Sequence, residues 1–206
     1  MPMLAGVGLM MVCCSSSSAM MMMGGDGDDA AAGAGAGAGG GAGAGAAAAP
    51  TGVSGQYVEL AFPEGTPGKY SLTPHEIYVY DDAGTNLALN TVVEASSIHG
   101  GPNGGMAGPM AVDGDEDTFW HATGGKSSIK IDLGAVKEIA KIEIKNNEGT
   151  REYNGVRSID RMAGGKAKIT IYGANGTTVV KSTPEISTPG AARYTIDLTS
   201  ESPVWT

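Results

Sequence analysis

Ile129-Lys130-Ile131-Asp132-Leu133 places an apolar side chain at every second residue and a charged one between each pair. In an extended chain that period puts Ile129, Ile131 and Leu133 on one face and Lys130 and Asp132 on the other, the signature of a strand with one buried and one wet side. The pattern recurs outward in both directions. Val58, Leu60 and Phe62 share a face in Tyr57-Val58-Glu59-Leu60-Ala61-Phe62. In the run Ile139 to Lys145, Ile142 and Ile144 alternate with Lys141, Glu143 and Lys145. Tyr194, Ile196 and Leu198 repeat the pattern near the carboxyl end. Between Lys166 and Lys181, Asn175-Gly176 separates two β-rich arms, a hairpin signal. No amphipathic helix of ordinary length competes with these strands. Short strands and Gly/Pro-rich turns therefore predict an all-β domain, an antiparallel β-sandwich.

The 206 residues divide by composition into an apolar anchor or docking arm (1–25), a Gly/Ala-rich spacer (26–55) and the sandwich (56–206). Of the chain's 34 glycines, many fall between Gly24 and Gly45, where Gly and Ala nearly alternate. Such a tract has no side chain large enough to offset its ordering entropy, so the core must come from residues beyond Pro50. Met3 to Gly25 carries no charge and is near the length of a bilayer-crossing helix, but Ser15 to Ser18 lower its hydrophobicity. It reads as a weak membrane span, an interfacial anchor or a segment that docks on a protein neighbour. No basic leader region precedes it, so a secretory signal fits poorly. Cys13 and Cys14 are the chain's two cysteines, leaving none for a disulfide in the sandwich. They read either as acylation sites in a membrane-proximal arm or as two small apolar residues.

Formal net charge is −9, and no Lys or Arg precedes Lys69. Nucleic acid is excluded as a partner on that ground, because phosphate binding needs clustered cations. Enzyme chemistry finds no support either. Gly125-Lys126-Ser127 lacks the first glycine of a phosphate loop, since Trp120 stands in its place. His75, His99 and His121 have no metal-ligand spacing, and no Gly-x-Ser-x-Gly elbow occurs. Asp113-Gly114-Asp115-Glu116-Asp117 is the one stretch with hard-cation character, since it sets carboxylates at alternate positions in a tight loop. It is not an EF-hand, because Thr118 sits where the turn glycine belongs.

Five segments then succeed one another in a recognisable order: Asn86-Leu87-Ala88-Leu89-Asn90, Val92 to Ser97, Ala111-Val112-Asp113-Gly114-Asp115, Thr118-Phe119-Trp120, and Ile129-Lys130-Ile131-Asp132-Leu133-Gly134. This order resembles the discoidin family, which includes coagulation-factor C domains and fucose-binding lectins and has a galactose-binding-like jelly roll. Ala140 to Ile144 and Asp160-Arg161-Met162 through Ile171 continue the likeness. Gln56 to Leu60, Tyr70-Ser71-Leu72 and Glu76 to Tyr80 resemble the family's closing strands, yet here they come first. The resemblance thus implies a circularly permuted domain or, alternatively, part of a preceding repeat joined to a truncated one.

The resemblance also implies a Ca2+ cofactor. Its ligands would be Asp113 and Glu76 through their carboxylates, Met110 and Asp115 through their carbonyls, and one more from the loop Thr123 to Ser127. For a sugar, Arg161 matches one of the family's two arginines and His121 falls in the histidine region. Asn147 or Glu148 stands where the second arginine belongs, and Gly149 to Ile159 looks like an insertion. Trp120 matches a core position, whereas Trp205 reads equally as a docking residue or as closure of the sandwich. The arm's composition is similar to tails of virion proteins of large DNA viruses of algae. Two functions are thereby expected for a non-enzymatic module. The leading one is a minor capsid or other virion structural protein, joined through residues 1–50 to capsid neighbours or a membrane. The alternative is an extracellular or cell-surface, calcium-dependent carbohydrate-binding lectin with a glycan partner.

Overall fold

The computed structural model describes residues 52–101 and 106–206. The arm, most of the spacer, and Cys13 and Cys14 lie outside the described residues. Within them the chain forms ten strands and one short helix: β1 (Val53–Ala61), β2 (Glu76–Tyr80), β3 (Val92–Ala95), β4 (Ser128–Ile139), β5 (Lys141–Lys145), β6 (Glu152–Tyr153), β7 (Val156–Arg157), α1 (Arg161–Gly164), β8 (Lys168–Tyr172), β9 (Val179–Ser182) and β10 (Arg193–Asp197). A five-stranded sheet runs β3-β4-β1-β8-β9, a three-stranded sheet runs β10-β5-β2, and β6 pairs with β7. Every pairing is antiparallel. The sequence expectation of an antiparallel sandwich holds.

Alternation decides which side chains meet. Val58 pairs with Ile131 on one side and Ile171 on the other, while Leu60 faces Ile129 and Ile169. All six are fully buried. Ile77, Val79, Ile142, Ile144, Tyr194 and Ile196 supply the inner face of the smaller sheet and join the same core. Burying each such side chain contributes roughly 1.5–3 kcal/mol. Because β1 lies between β4 and β8, it is central to the larger sheet, not an appendage. Trp120 is wholly buried and its indole N–H donates to the Ser97 carbonyl (3.0 Å), so it belongs to the core.

Two details differ from the sequence reading. Strand β1 starts at Val53, three residues inside the expected spacer, and pairs with Ile139, Glu138 and Lys137 before its register shifts between Gly55 and Tyr57. That bulge breaks the period of two, which is why the alternation announces the strand only from Tyr57. Gly55 is needed there because a Cβ would collide with the Ile171 side chain. The run Ile139 to Lys145 is likewise not one strand. Ile139 ends β4 in the larger sheet, and Lys141 opens β5 in the smaller one. Ala140 between them donates its N–H to the Tyr80 carbonyl (2.8 Å) and accepts from the Leu198 N–H (2.7 Å), so the chain changes sheets at a small residue.

The Asn175-Gly176 hairpin forms, with β8 and β9 paired. The Asn175 side-chain oxygen accepts from the N–H groups of Thr177 (3.1 Å) and Thr178 (2.9 Å), and Gly176 takes a φ of 69°. Trp205 resolves toward closure: it bridges to Ile196, and its indole N–H donates to the Pro184 carbonyl (2.7 Å).

Candidate functional site

Asp113 begins a turn whose shape its own side chain fixes. Its carboxylate accepts from the Asp115 N–H (2.9 Å), and the Asp115 carboxylate accepts from the Asp117 N–H (2.9 Å). Gly114 stands at φ 83°, a conformation that L side chains rarely adopt. Its N–H donates to Glu76 Oε1 (3.2 Å), which joins the turn to the first residue of β2.

The oxygens of this turn converge on one hydroxyl. Thr118 Oγ lies 3.3 Å from the Met110 carbonyl, 3.2 and 3.0 Å from the two Asp113 carboxylate oxygens, and 3.0 Å from the Asp115 carbonyl. A hydroxyl has one proton, so it satisfies one of these acceptors at a time. The rest form a surplus of oxygen lone pairs, which is what a hard cation requires. Glu76 is fully buried, and its Oε2 has no hydrogen-bond partner. Burial raises its pKa to about 7, and the negative charges of Asp113, Glu116 and Asp115 add to the rise. A bound divalent cation would reverse that penalty. The residues present therefore fit such an ion, with Asp113 and Glu76 giving carboxylates and Met110 and Asp115 giving carbonyls. Among the described residues no three His, Cys, Asp or Glu side chains converge as a metal cluster, so a bound ion would need carbonyl ligands as well. The loop Thr123 to Ser127 is held by other partners. The Thr123 N–H donates to Ser97 (2.9 Å), and Gly125 lies against the backbone of Thr66 and Pro67.

Glu116 points out of the turn and fastens it to the smaller sheet. It accepts from the Tyr78 hydroxyl (2.7 Å) and from Arg193 (2.7 Å), and both hold its pKa down. Its carbonyl is 2.6 Å from His75 Nδ1. From His75 a row of rings leads away from the turn. His75 stacks on Phe119 (5.2 Å between centroids), Phe119 tilts against His121 (6.4 Å), and His121 stacks on His99 (4.4 Å). The three histidines, scattered in sequence, thus share one aromatic row.

Phe119, His121 and His99 of that row form a wall of a cavity of about 580 Å3. Opposite chemistry lines it: Lys69, Arg151 and Arg161, with Ser71, Thr73 and Asn147 as further polar groups. Arg161 opens α1, is 8% exposed, and donates through Nη1 to Ser71 Oγ (3.1 Å). The same hydroxyl is 3.4 Å from His121 Nε2. Burial, the nearby His99 and the Arg161 charge lower the His121 pKa to about 4, so its ring is neutral near pH 7.

Asp113, Asp115 and Met110 meet at the Thr118 hydroxyl, Glu76 reaches the same turn through the Gly114 N–H, and Arg161 and His121 line one cavity. Asn147 lines that cavity, whereas Glu148 pairs with Lys145. Sequence reasoning missed Lys69, Ser71, His99 and Arg151. Arg151 comes from the insertion-like stretch and gives the cavity a second arginine. Only the stretch's mixture of Arg, Tyr and Ser hinted at a binding rim.

The F5/8 type C domain family matches residues 91–194, from just before β3 to the second residue of β10. No curated protein and no solved structure matches the chain.

Proposed function

Because the chain belongs to the F5/8 type C domain family, whose members are binding modules, we propose that it is a non-enzymatic module that holds a saccharide in the cavity beside a calcium-bearing turn. The cavity carries this reading. It has the volume of a small-molecule site, a ring-bearing wall, and polar groups that converge from separate loops. Arginine and hydroxyl donors suit the vicinal oxygens of a sugar, and Phe119 offers an apolar face to a pyranose ring. The Ca2+ would be held by Asp113, Glu76, Met110 and Asp115, where it would fix the turn that precedes Phe119. Retention on immobilised saccharides, measured with calcium and with chelator, tests the proposal. Calcium-dependent retention is expected, and failure to retain any saccharide would refute it.

A second reading concerns attachment. The uncharged Met- and Cys-rich segment followed by a Gly/Ala tract supports a tether to a larger assembly, with a virion shell as the leading case and a membrane as the other. Comparing the full chain with a form starting at Thr51 tests it. Folding should be unchanged and incorporation into the particle or membrane fraction lost.

Circular permutation is part of the same proposal. The family match begins after β2, yet β1 sits between β4 and β8 at the centre of the larger sheet. Strands with the family's closing pattern, placed first in the chain and paired inside the same sandwich, support a permuted domain over a truncated repeat.

A further inference from the structure

The cavity's charge runs against that of the molecule. The chain carries a formal −9, yet Lys69, Arg151 and Arg161 line this one space, against a single acid, Glu152. Both arginines outside the cavity are paired, Arg193 with Glu116 and Glu143 and Arg157 with Asp160. Among the described residues none of the three cavity cations forms an ion pair with a carboxylate.

Arg161 makes the case sharpest. It is more than nine-tenths buried, its Nε is buried without a hydrogen-bond partner, and its one hydrogen bond goes to a neutral hydroxyl. A Tyr153 ring at 5.8 Å is its other neighbour of note. A guanidinium withdrawn from water is costly unless paired, and an unpaired one in a core would ordinarily be replaced by an apolar residue. Here it lines an open cavity, where a ligand can supply the missing charge. Its planar fork is matched to a carboxylate or a sulfate, which accept two parallel N–H bonds.

We propose that the cavity selects an acidic saccharide, a pyranose bearing a carboxylate or sulfate that seats on Arg161, with Lys69 and Arg151 at the rim drawing in the same charge. This inference rests on the saccharide reading of the cavity and narrows it by ligand charge. Glu152 on the rim opposes acidic ligands weakly, because it is exposed to solvent.

The test is calorimetric titration of the full chain in calcium with three matched probes: galacturonate, galactose 6-sulfate and galactose. At least one acid should bind about tenfold or more tightly than galactose, a difference that shrinks as ionic strength rises. Whichever acid binds more tightly identifies the anion. Arg151→Ala, at an exposed position where the fold is not at stake, should weaken the acids several-fold more than it weakens galactose. Arg161→Lys, checked for an unaltered melting transition, should lose more, because it keeps the charge and removes the fork. Galactose binding as tightly as both acids would overturn the charge selection while leaving the saccharide reading intact. Binding of none of the three would overturn both.

Discussion

The acidic turn at Asp113 and the cavity beyond Phe119 adjoin one another, yet they are assembled from opposite chemistry. The turn gathers acceptor oxygens around a single hydroxyl and leaves the buried Glu76 oxygen without a donor. The cavity gathers cationic donors and leaves the Arg161 Nε without an acceptor. The turn is thus rich in acceptors where the cavity is rich in donors. They do not neutralise each other, because the row His75, Phe119, His121 and His99 stands between them and Glu116 is turned toward Tyr78 and Arg193. A row of rings thus separates a cluster of acceptors from a cluster of donors.

Removing β1 and β2 should break both regions at once. A chain starting at Asn86 loses Glu76 from the turn and Ser71 from the cavity, and it exposes the facing strands β4 and β8. Cooperative unfolding should vanish in calorimetry. A fragment from Asn86 that still melts cooperatively would show β1 to be dispensable and end the permutation proposal.

Calcium should act on the turn first. At calcium about a hundredfold above the dissociation constant, a ligand of the native state adds roughly 2.7 kcal/mol, or on the order of 5–10 °C for a domain of this size. Asp113→Ala should abolish that increment, and a wild-type midpoint indifferent to both calcium and chelator would count against the ion.

Acid should act on the cavity. Folded His121 titrates at about 4 rather than 6.5, so between those values the unfolded chain binds a proton that the folded one does not. Stability from this residue is complete above pH 6.5 and falls as pH drops toward 4, by up to about 3 kcal/mol. The difference between wild type and His121→Asn across that window isolates the effect, and a pH-independent difference would contradict it. The smallest effect belongs to the link from the turn to the sheet. Tyr78→Phe removes one hydrogen bond to Glu116 and should cost about 1 kcal/mol or less, while weakening calcium measurably in a competition titration.

The sandwich was legible because its strands alternate: Val58, Ile131, Ile142 and Ile196 each stand where a period of two puts them. The bulge at Gly55 and the change of sheet at Ala140 were not, since each is set by what the backbone meets across the fold. The partners of the turn were readable only by resemblance, because nothing local links Glu76 to Asp113. The cavity was half legible. Arg161 and His121 sit within family-like motifs, but Lys69, His99 and Arg151 come from loops whose convergence no local pattern encodes.

The last residues of the chain lie along β10. Thr206 and Thr195 exchange backbone hydrogen bonds at 2.9 and 3.0 Å, and Trp205 covers the strand beside them. At the other margin of the smaller sheet, Leu87 donates to the Val79 carbonyl (2.6 Å), and the Asn86 side chain accepts from the Val79 N–H (3.2 Å). The smaller sheet is thus hemmed on both sides, while the larger one ends in β3 and β9, four residues each. Short margins give a stray strand little to hold. Among the described residues of the two larger sheets, those short margins are the edges without a covering strand, while the hemmed sheet carries Glu76, Tyr78 and Arg193, which hold the turn.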